Sequence, residues 1–529
     1  MRICNIECKN LRRIPDFTIP VGNHLVLVGP NDSGKTSILH WLNMTLATRV
    51  QIDGCRPNDF TDLGQPIIFE ITLNDIDSDD WLLFPDEIEH LNDHDQLRVK
   101  FEATYDSFQS SVVYERTFPG FPGSRATPSK LKAIGWSFVS ANRILTRDVA
   151  GNRSGALRTI LDDVEVGDDT GLIDAITTYR EALAVNSSLI DLRTGLASAL
   201  TTTFPRQVNA DDLYFLTESD VMEDPLQGVT LAFKGAQGLT TFEEQSDGMR
   251  ALTALALYSM LSNESKIIGI DEPELHLHPP AQRGIGALLS KQVKQQVIAT
   301  NSPNVLAKFE PTHVVAMSPT RTVRQLPHTA AAASSVFIAK WWTHAHIEPL
   351  SAAKILVIEG VTDRMILESV VATFKIELDR SGVALIELVG ATNIGWVSEL
   401  YGPNGFDIPI FGLVDEDHEV EWAAALGVSV ADLETVGIQV CRPDLEGMIV
   451  ASLGVERVIE LLASGGIPET DIEAGCRCAR AAILPETLVE WMGSKKVKVS
   501  VAVALSSSIV KSDSELFIPL CNLVTMVTS

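Results

Sequence analysis

The chain has 529 residues, 45% of them apolar and 21% charged, a balance that fits several globular domains and excludes a disordered protein. Its net charge of −27 excludes nucleic-acid binding over the whole surface, so contact with a polyanion needs a local basic strip or bound cations. No apolar run approaches the ~18 residues of a membrane span, the start Met1-Arg2-Ile3-Cys4 is not a signal peptide, and seven scattered cysteines read as reduced thiols, which together point to the cytoplasm.

In chain order, residues 2–8 alternate like an edge strand, and Leu25-Val26-Leu27-Val28 reads as a short, fully buried one. Gly29-Pro30-Asn31-Asp32-Ser33-Gly34-Lys35-Thr36 follows, leading into a helix with Ile38, Leu39, Leu42 and Leu46 on its apolar face. The turn fits G-x-x-x-x-G-K-[ST] between a strand and a helix, the setting this motif requires. Without side chains at Gly29 and Gly34, backbone N–H groups can face phosphate oxygens, and the helix N-terminus adds partial positive charge. Lys35 then reaches the β- and γ-phosphates and Thr36 holds Mg²⁺, with ATP as the ligand.

Residues 67–73 and 97–105 alternate again and predict an antiparallel layer. Two apolar stripes at helical spacing, Leu172, Ile176, Tyr179, Leu183 and then Leu189, Leu192, Leu196, Leu200, flank a turn at Asn186-Ser187-Ser188. They predict a helical hairpin inserted at about 155–204. Strands return at 266–270 and 297–300. The first ends in Asp271-Glu272-Pro273-Glu274, a Walker B element that delivers Asp271 to the Mg²⁺ shell and sets Glu272 to polarise the attacking water. The second runs into Thr300-Asn301-Ser302-Pro303. His276 and His278, beside a helix start, read as structural.

A Pro/Ala/Ser-rich stretch at 326–335 and the Trp341-Trp342 segment lead to a second α/β unit, giving domains 1–349 and 350–529. Residues 351–529 hold 12 Lys and Arg against 26 Asp and Glu, so this half must recruit cations to meet a polyanion. Strand 355–358 runs into Glu359-Gly360-Val361-Thr362-Asp363, and after a strand at 384–389 another at 408–414 ends in Asp415-Glu416-Asp417. Ligands collect at the carboxyl ends of parallel strands, so the two acidic sets can converge. Asp415 and Asp417, alternate residues on an extended segment, are expected to point the same way. Packed carboxylates repel, and Mg²⁺ (or Mn²⁺) relieves the repulsion while leaving positions open for phosphate and water. Tyr401, beside Gly402-Pro403-Asn404-Gly405, reads as a turn residue. Cys476 and Cys478 lack a second pair with zinc spacing.

The phosphate loop, Ser246-Asp247-Gly248-Met249-Arg250 and Asp271-Glu272-Pro273-Glu274-Leu275-His276-Leu277-His278-Pro279 resemble ABC/SMC-like ATPases, the last most like the RecF and OLD (overcoming lysogenization defect) branches. Where those usually carry Thr-His-Ser-Pro, this chain has Asn301 in place of the histidine; by the resemblance Asn301 hydrogen-bonds the γ-phosphate but cannot take a proton, so slow turnover is expected. Glu359-Gly360-x-x-Asp363 with Asp415-x-Asp417 resembles the TOPRIM domain, and the order of the two domains resembles the OLD family over nearly the whole length. That resemblance implies an α/β protein with an N-terminal ABC/SMC-like P-loop ATPase, a helical dimerisation insert and a C-terminal TOPRIM domain. It implies that Ser246 and Gly248 of one subunit cap the nucleotide of another in a homodimer or larger homo-oligomer. It further implies Glu359, Asp363, Asp415 and Asp417 as metal ligands, Glu446 as a later acid, and one of Lys495, Lys496 and Lys498, with Lys496 preferred, as the charge partner of phosphate. The implied function is a nucleotide-gated, Mg²⁺-dependent endonuclease that nicks or cleaves DNA in antiphage defence, with a companion protein or nucleic acid. RNA cleavage, and an ATPase switch whose TOPRIM domain binds a partner, stand as alternatives.

Overall fold

Alternation of apolar and polar side chains builds the first layer of the computed structural model. Chain order runs β1 (Arg2–Lys9), β2 (Phe17–Pro20), β3 (Leu25–Val28), α1 (Lys35–Leu46), β4 (Ile67–Asn74), β5 (Ile88–His90), β6 (Asp95–Asp106), β7 (Ser111–Thr117) and β8 (Trp136–Val139). It continues with α2 (Ser187–Thr203), β9 (Leu213–Thr217), β10 (Val229–Gly235), β11 (Gly238–Thr241), β12 (Ile267–Asp271), α3 (Pro279–Ser290), β13 (Gln295–Ala299), β14 (Val314–Met317) and β15 (Val323–Gln325). The described residues are 1–139, 178, 181–182, 185–203, 207–217, 229–326 and 341–528, apart from 13, 49–54, 92–93, 108, 236–237, 242–243, 247, 250–251, 254–265 and 389. They divide into two units, Met1–Val323 and Arg324–Ser529.

In the first unit, an antiparallel sheet has the order β2-β1-β4-β6-β5, with β7 on β6. Residues 2–8 therefore do not form an edge strand: β1 is hydrogen-bonded to β2 on one side and β4 on the other. Its polar residues face away from the core across an interior strand, which alternation alone cannot distinguish from an edge. Ile67, Phe69, Ile71 and Leu73 of β4 and Leu97, Val99, Phe101 and Ala103 of β6 all point inward and are fully buried. Opposite them lies α1, whose Trp41 stacks on Phe69 at 6.5 Å and meets Phe101 edge-on at 5.5 Å. Each such ring or aliphatic chain contributes about 1.5–3 kcal/mol through burial, so α1 and the turn before it are held by the core.

The second sheet has the order β15-β14-β3-β13-β12-β8, and β14, β3, β13, β12 and β8 run parallel. Strands β3, β13 and β12 consist entirely of buried residues, as expected for strands covered on both faces. Buried Gln295 ties the two sheets together: its Oε1 accepts the Ile3 N–H at 2.7 Å and its Nε2 donates to the Ile3 and Gly22 carbonyls at 2.8 and 2.9 Å. A small sheet, β11-β10-β9, completes the described strands of this unit. Of the expected hairpin, the second stripe is α2, with Leu196 and Leu200 buried and Leu189 and Leu192 half-buried. Leu172, Ile176, Tyr179 and Leu183 lie outside the described residues.

The second unit contains β16 (Lys354–Ile358), α4 (Val361–Thr373), β17 (Val383–Glu387), α5 (Ile394–Tyr401), β18 (Ile410–Asp415), β19 (Ile438–Cys441), α6 (Leu445–Leu453) and α7 (Lys498–Ser508). Its parallel sheet has the order β17-β16-β18-β19. Leu356 and Ile358 of β16, Ile366, Leu367 and Val370 of α4 and Val501 and Leu505 of α7 share one core. That core lays α7 along α4, where Ser369 Oγ donates to the Ser506 carbonyl at 2.8 Å. Tyr401 is not a turn residue. It closes α5, is fully buried and donates its hydroxyl to the His346 carbonyl. Burial pushes its phenol well above the usual range, so it is not a nucleophile.

Candidate functional site

The register of the parallel sheet assembles the first site. Asp271 of β12 lies opposite Ala299 of β13, and Ala299 opposite Leu27 of β3, so three loops leave the same edge side by side. The loop after β3 carries residues 29–36. Gly29 has φ +154°, and a Cβ there would meet the Met317 carbonyl oxygen at 2.3 Å. Gly34 has φ +103° and immediately precedes α1, so both glycines occupy backbone that side chains rarely tolerate. Buried Lys35 donates to the Gly29 and Pro30 carbonyls at 2.8 and 2.9 Å, curling the loop around its ammonium. Burial holds that ammonium below its usual pKa, partly offset by Glu272, Glu274 and Asp271.

Thr36 Oγ1 donates to Asp271 Oδ1 at 3.1 Å, joining the two residues expected to share a metal ion. Burial raises the Asp271 carboxyl to about 6, against the Thr36 hydrogen bond that lowers it. Glu272 takes a left-handed φ of +48° and returns its N–H to the Ala299 carbonyl at 2.9 Å. Such strain is costly for a non-glycine residue and is found at functional sites. Asn301 Nδ2 donates to Asn31 Oδ1 at 2.9 Å, and Asn301 N–H donates to Glu274 Oε1 at 2.7 Å. Arg321 donates to the Asp32 carbonyl at 3.1 Å and to its carboxylate at 2.9 Å. Among the described residues the buried Ser33 Oγ and Asn301 Oδ1 have no partner. Unspent polar groups, a glycine-bounded loop at a helix start and a lysine together fit a polyphosphate. Ser246, which is exposed, accepts the Met249 N–H at 3.4 Å, and Gly248 lies against the His276 carbonyl.

The second site lies at the carboxyl edge of the other parallel sheet. Glu359 follows β16, Asp415 ends β18, and Asp444 caps α6 just after β19. Each acid is fixed by a backbone donor: Asp363 Oδ2 by Gly360 at 2.9 Å, Glu359 Oε1 by Asp415 at 3.1 Å, and Asp415 Oδ1 by Leu445 at 3.0 Å. Buried Glu446 meets Lys498 Nζ at 3.2 Å. Burial, then repulsion from Glu359, Asp363 and Glu446, pushes the Asp415 carboxyl to about 8. Burial also raises Asp363 to about 6 and lifts Glu359, while Lys498 opposes all three shifts. The structure thus brings Glu359, Asp363, Asp415 and Glu446 into one electrostatic cluster.

Two expectations about this cluster need correction. Lys496 is exposed, whereas Lys498 is the lysine at the acids, because the chain turns after Ser494 and α7 starts at Lys498 beside the N-terminal end of α4. Asp417 does not continue an extended segment. Residues 416–418 form a 3-10 turn, which leaves Asp417 exposed while its charge still raises Glu359. Sequence reasoning also passed over His418, whose charge lowers Glu359, and over Glu274 and Arg321. Among the described residues no three His, Cys, Asp or Glu side chains form a ready-made metal cage. The donor set is nonetheless all hard oxygen with negative charge in excess over Lys498, and that chemistry fits Mg²⁺ or Mn²⁺.

Comparison with known proteins finds one family along each half of the chain. Residues 25–307, more than half of the chain, match the family described as "AAA domain, putative AbiEii toxin, Type IV TA system". Residues 350–417 match the one described as "Overcoming lysogenization defect protein-like, TOPRIM domain". The chain is similar to Endonuclease GajA of Bacillus cereus (strain VD045), with 22% identity over 422 residues covering 74% of this chain and 71% of that protein. Similar solved structures include the Smc head domain of Pyrococcus furiosus bound to the C-terminal domain of ScpA, at 16% identity, 64% of this chain, 99% of that chain and a TM-score of 0.42. Another is the C-terminal region of the Burkholderia pseudomallei OLD protein, at 18% identity, 34% of this chain, 97% of that chain and a TM-score of 0.28. The chain belongs to the AAA-domain ATPase family and carries behind that domain a TOPRIM domain of the overcoming lysogenization defect type.

Proposed function

We propose that the protein binds and hydrolyses ATP and is a Mg²⁺-dependent endonuclease that nicks or cleaves DNA, gated by nucleotide, in cytoplasmic antiphage defence. The observation that carries this reading is the cluster of Glu359, Asp363, Asp415 and Glu446 around Lys498, on a chain that also holds Lys35, Thr36, Asp271 and Glu272. Similarity to an endonuclease supports it.

In the ATPase, Lys35 would leave the loop carbonyls for the β- and γ-phosphates, Thr36 and Asp271 would hold Mg²⁺, and Glu272 would orient and deprotonate the attacking water. Asn301 would donate to the γ-phosphate. Ser246 and Gly248 would cap the nucleotide of a second copy, which makes a homodimer the working unit. In the TOPRIM domain, Glu359, Asp363, Asp415 and Asp417 would hold the divalent ion. When bound, that ion polarises a phosphodiester and lowers the pKa of water. Lys498, held by Glu446, would offset negative charge developing on the phosphate. The groups named contact phosphate and read no base, so the backbone carries recognition.

The test is nicking of supercoiled plasmid with Mg²⁺ or Mn²⁺, with and without ATP, beside a single-stranded RNA substrate. Nicked DNA supports the reading. Cleavage of RNA alone would move the substrate to RNA, and no cleavage of either with both metals would leave an ATPase switch.

A further inference from the structure

Glu274 is three residues past the end of β12, and Asn301 is two past the end of β13. Because Asp271 and Ala299 are register partners, both leave the sheet at one place. Glu274 Oε1 there accepts the Asn301 N–H at 2.7 Å. The neighbouring Thr300 hydroxyl opposes the rise of the Glu274 carboxyl pKa with burial, and Thr300 Oγ1 accepts the Ser302 N–H at 3.0 Å. The loop after β13 thus rests on a carboxyl group of the turn after β12 through the Asn301 N–H. Asn301 extends the chain of contacts to the phosphate loop, donating Nδ2 to Asn31 Oδ1 at 2.9 Å. The second oxygen, Glu274 Oε2, is buried without a partner among the described residues. A half-used carboxyl in a buried position is costly unless the group does something its neighbours need.

We propose that Glu274 is a positioning residue for ATP hydrolysis, holding Asn301 against the phosphate loop so that the turn after β12 and the loop after β13 act on the γ-phosphate as one unit. This rests on the ATPase reading above. Asn301 has a short side chain and cannot take a proton, so its contribution depends on placement of its amide donor. Fixing its backbone N–H from the Walker B side supplies that placement. Among the described residues the hydrogen bonds that lead from Glu274 to the phosphate loop run by way of Asn301, while its charge also acts on Lys35.

The experiment compares the full-length protein with Glu274→Gln, Glu274→Ala, Glu274→Asp, Asn301→Ala and Glu274→Ala/Asn301→Ala. Steady-state ATP hydrolysis, affinity for a non-hydrolysable ATP analogue by calorimetry, and melting curves are recorded for each. Glu274→Ala and Glu274→Asp should lower kcat about tenfold while KM and analogue affinity stay within about twofold, since one charge-assisted hydrogen bond made at the reacting loop is lost. Glu274→Gln keeps an acceptor oxygen and should retain kcat within about threefold. The double variant should be no slower than Asn301→Ala, because the two residues act as one unit. If Glu274→Ala does not fold, Glu274→Asp answers the same question.

Wild-type kcat in the folded Ala or Asp variant, a loss confined to KM, or additive losses in the double variant would overturn the positioning role. Lys35→Ala separates that failure from failure of the underlying reading. Turnover lost in Lys35→Ala but untouched by the Glu274 variants overturns Glu274 alone. A wild-type protein that hydrolyses no ATP overturns both.

Discussion

Lys498 Nζ stands 3.2 Å from Glu446 Oε1, and its charge reaches Glu359, Asp363 and Asp415 as well. The pair puts a cation beside Glu359, Asp363 and Asp415, whose carboxyls are raised first by burial and then by neighbouring acids. Removing one partner of such a pair leaves the other uncompensated.

Lys498→Met should therefore lower DNA nicking by ~100-fold or more, the scale seen when one group stabilising developing charge is removed. Lys496→Met, which alters an exposed side chain, should stay within about twofold of wild type. Nicking rates for both, at equal protein folding by circular dichroism, decide between the two lysines. Equal losses would remove the distinction.

Glu272→Gln should bind ATP with wild-type affinity and hydrolyse it ~100-fold more slowly, because an amide cannot accept a proton from water. Its left-handed backbone and the bond to Ala299 do not depend on charge, so the turn after β12 should persist. Phosphate release and calorimetric titration check the two halves of this statement. Hydrolysis at the wild-type rate would show that another group is the base.

A pH dependence of stability follows from His24. Its ring is buried, its Nδ1 accepts the Gln296 N–H at 3.2 Å, and burial, with His313 and Arg2 nearby, lowers its pKa to about 4. The unfolded chain takes up that proton near pH 6.5. The stabilisation is fully present above pH 6.5 and is lost as pH falls towards 4, where folded and unfolded states are both protonated. Tm should fall less steeply across this window in His24→Gln than in wild type, and equal slopes would contradict it.

What the sequence disclosed were features carried by contiguous residues. The run 29–36, the acids after β12 and the acids after β16 and β18 all stand next to the buried strands that position them. What it hid depended on backbone phase or on distant neighbours. The turn that makes Asp417 face solvent, and the start of α7 at Lys498 rather than Lys496, cannot be read from alternation. Arg321 meets Asp32 across 289 positions. Alternation marked residues 2–8 as a strand, but its neighbours on both sides come from elsewhere in the chain. Glu274 was visible as a letter in the acidic run, while its bond to Asn301 required the register of β12 against β13.

Two chemistries on one chain should be separable, and Asp415→Ala is the sharpest probe of that separation. Asp415 ends β18, bonds Leu445 through Oδ1 and shares charge with Glu359, Asp363 and Glu446 in the second unit, whereas Thr36, Asp271 and Glu272 belong to the first. Nicked plasmid and released phosphate are measured from one preparation of the variant with Mg²⁺ and ATP. Nicking should fall below detection while ATP hydrolysis stays within about twofold of wild type, because the two sets of acids belong to separate units. Continued nicking would show that the C-terminal acids are not the nuclease, and a parallel collapse of ATP hydrolysis would show that the two sites are not separable.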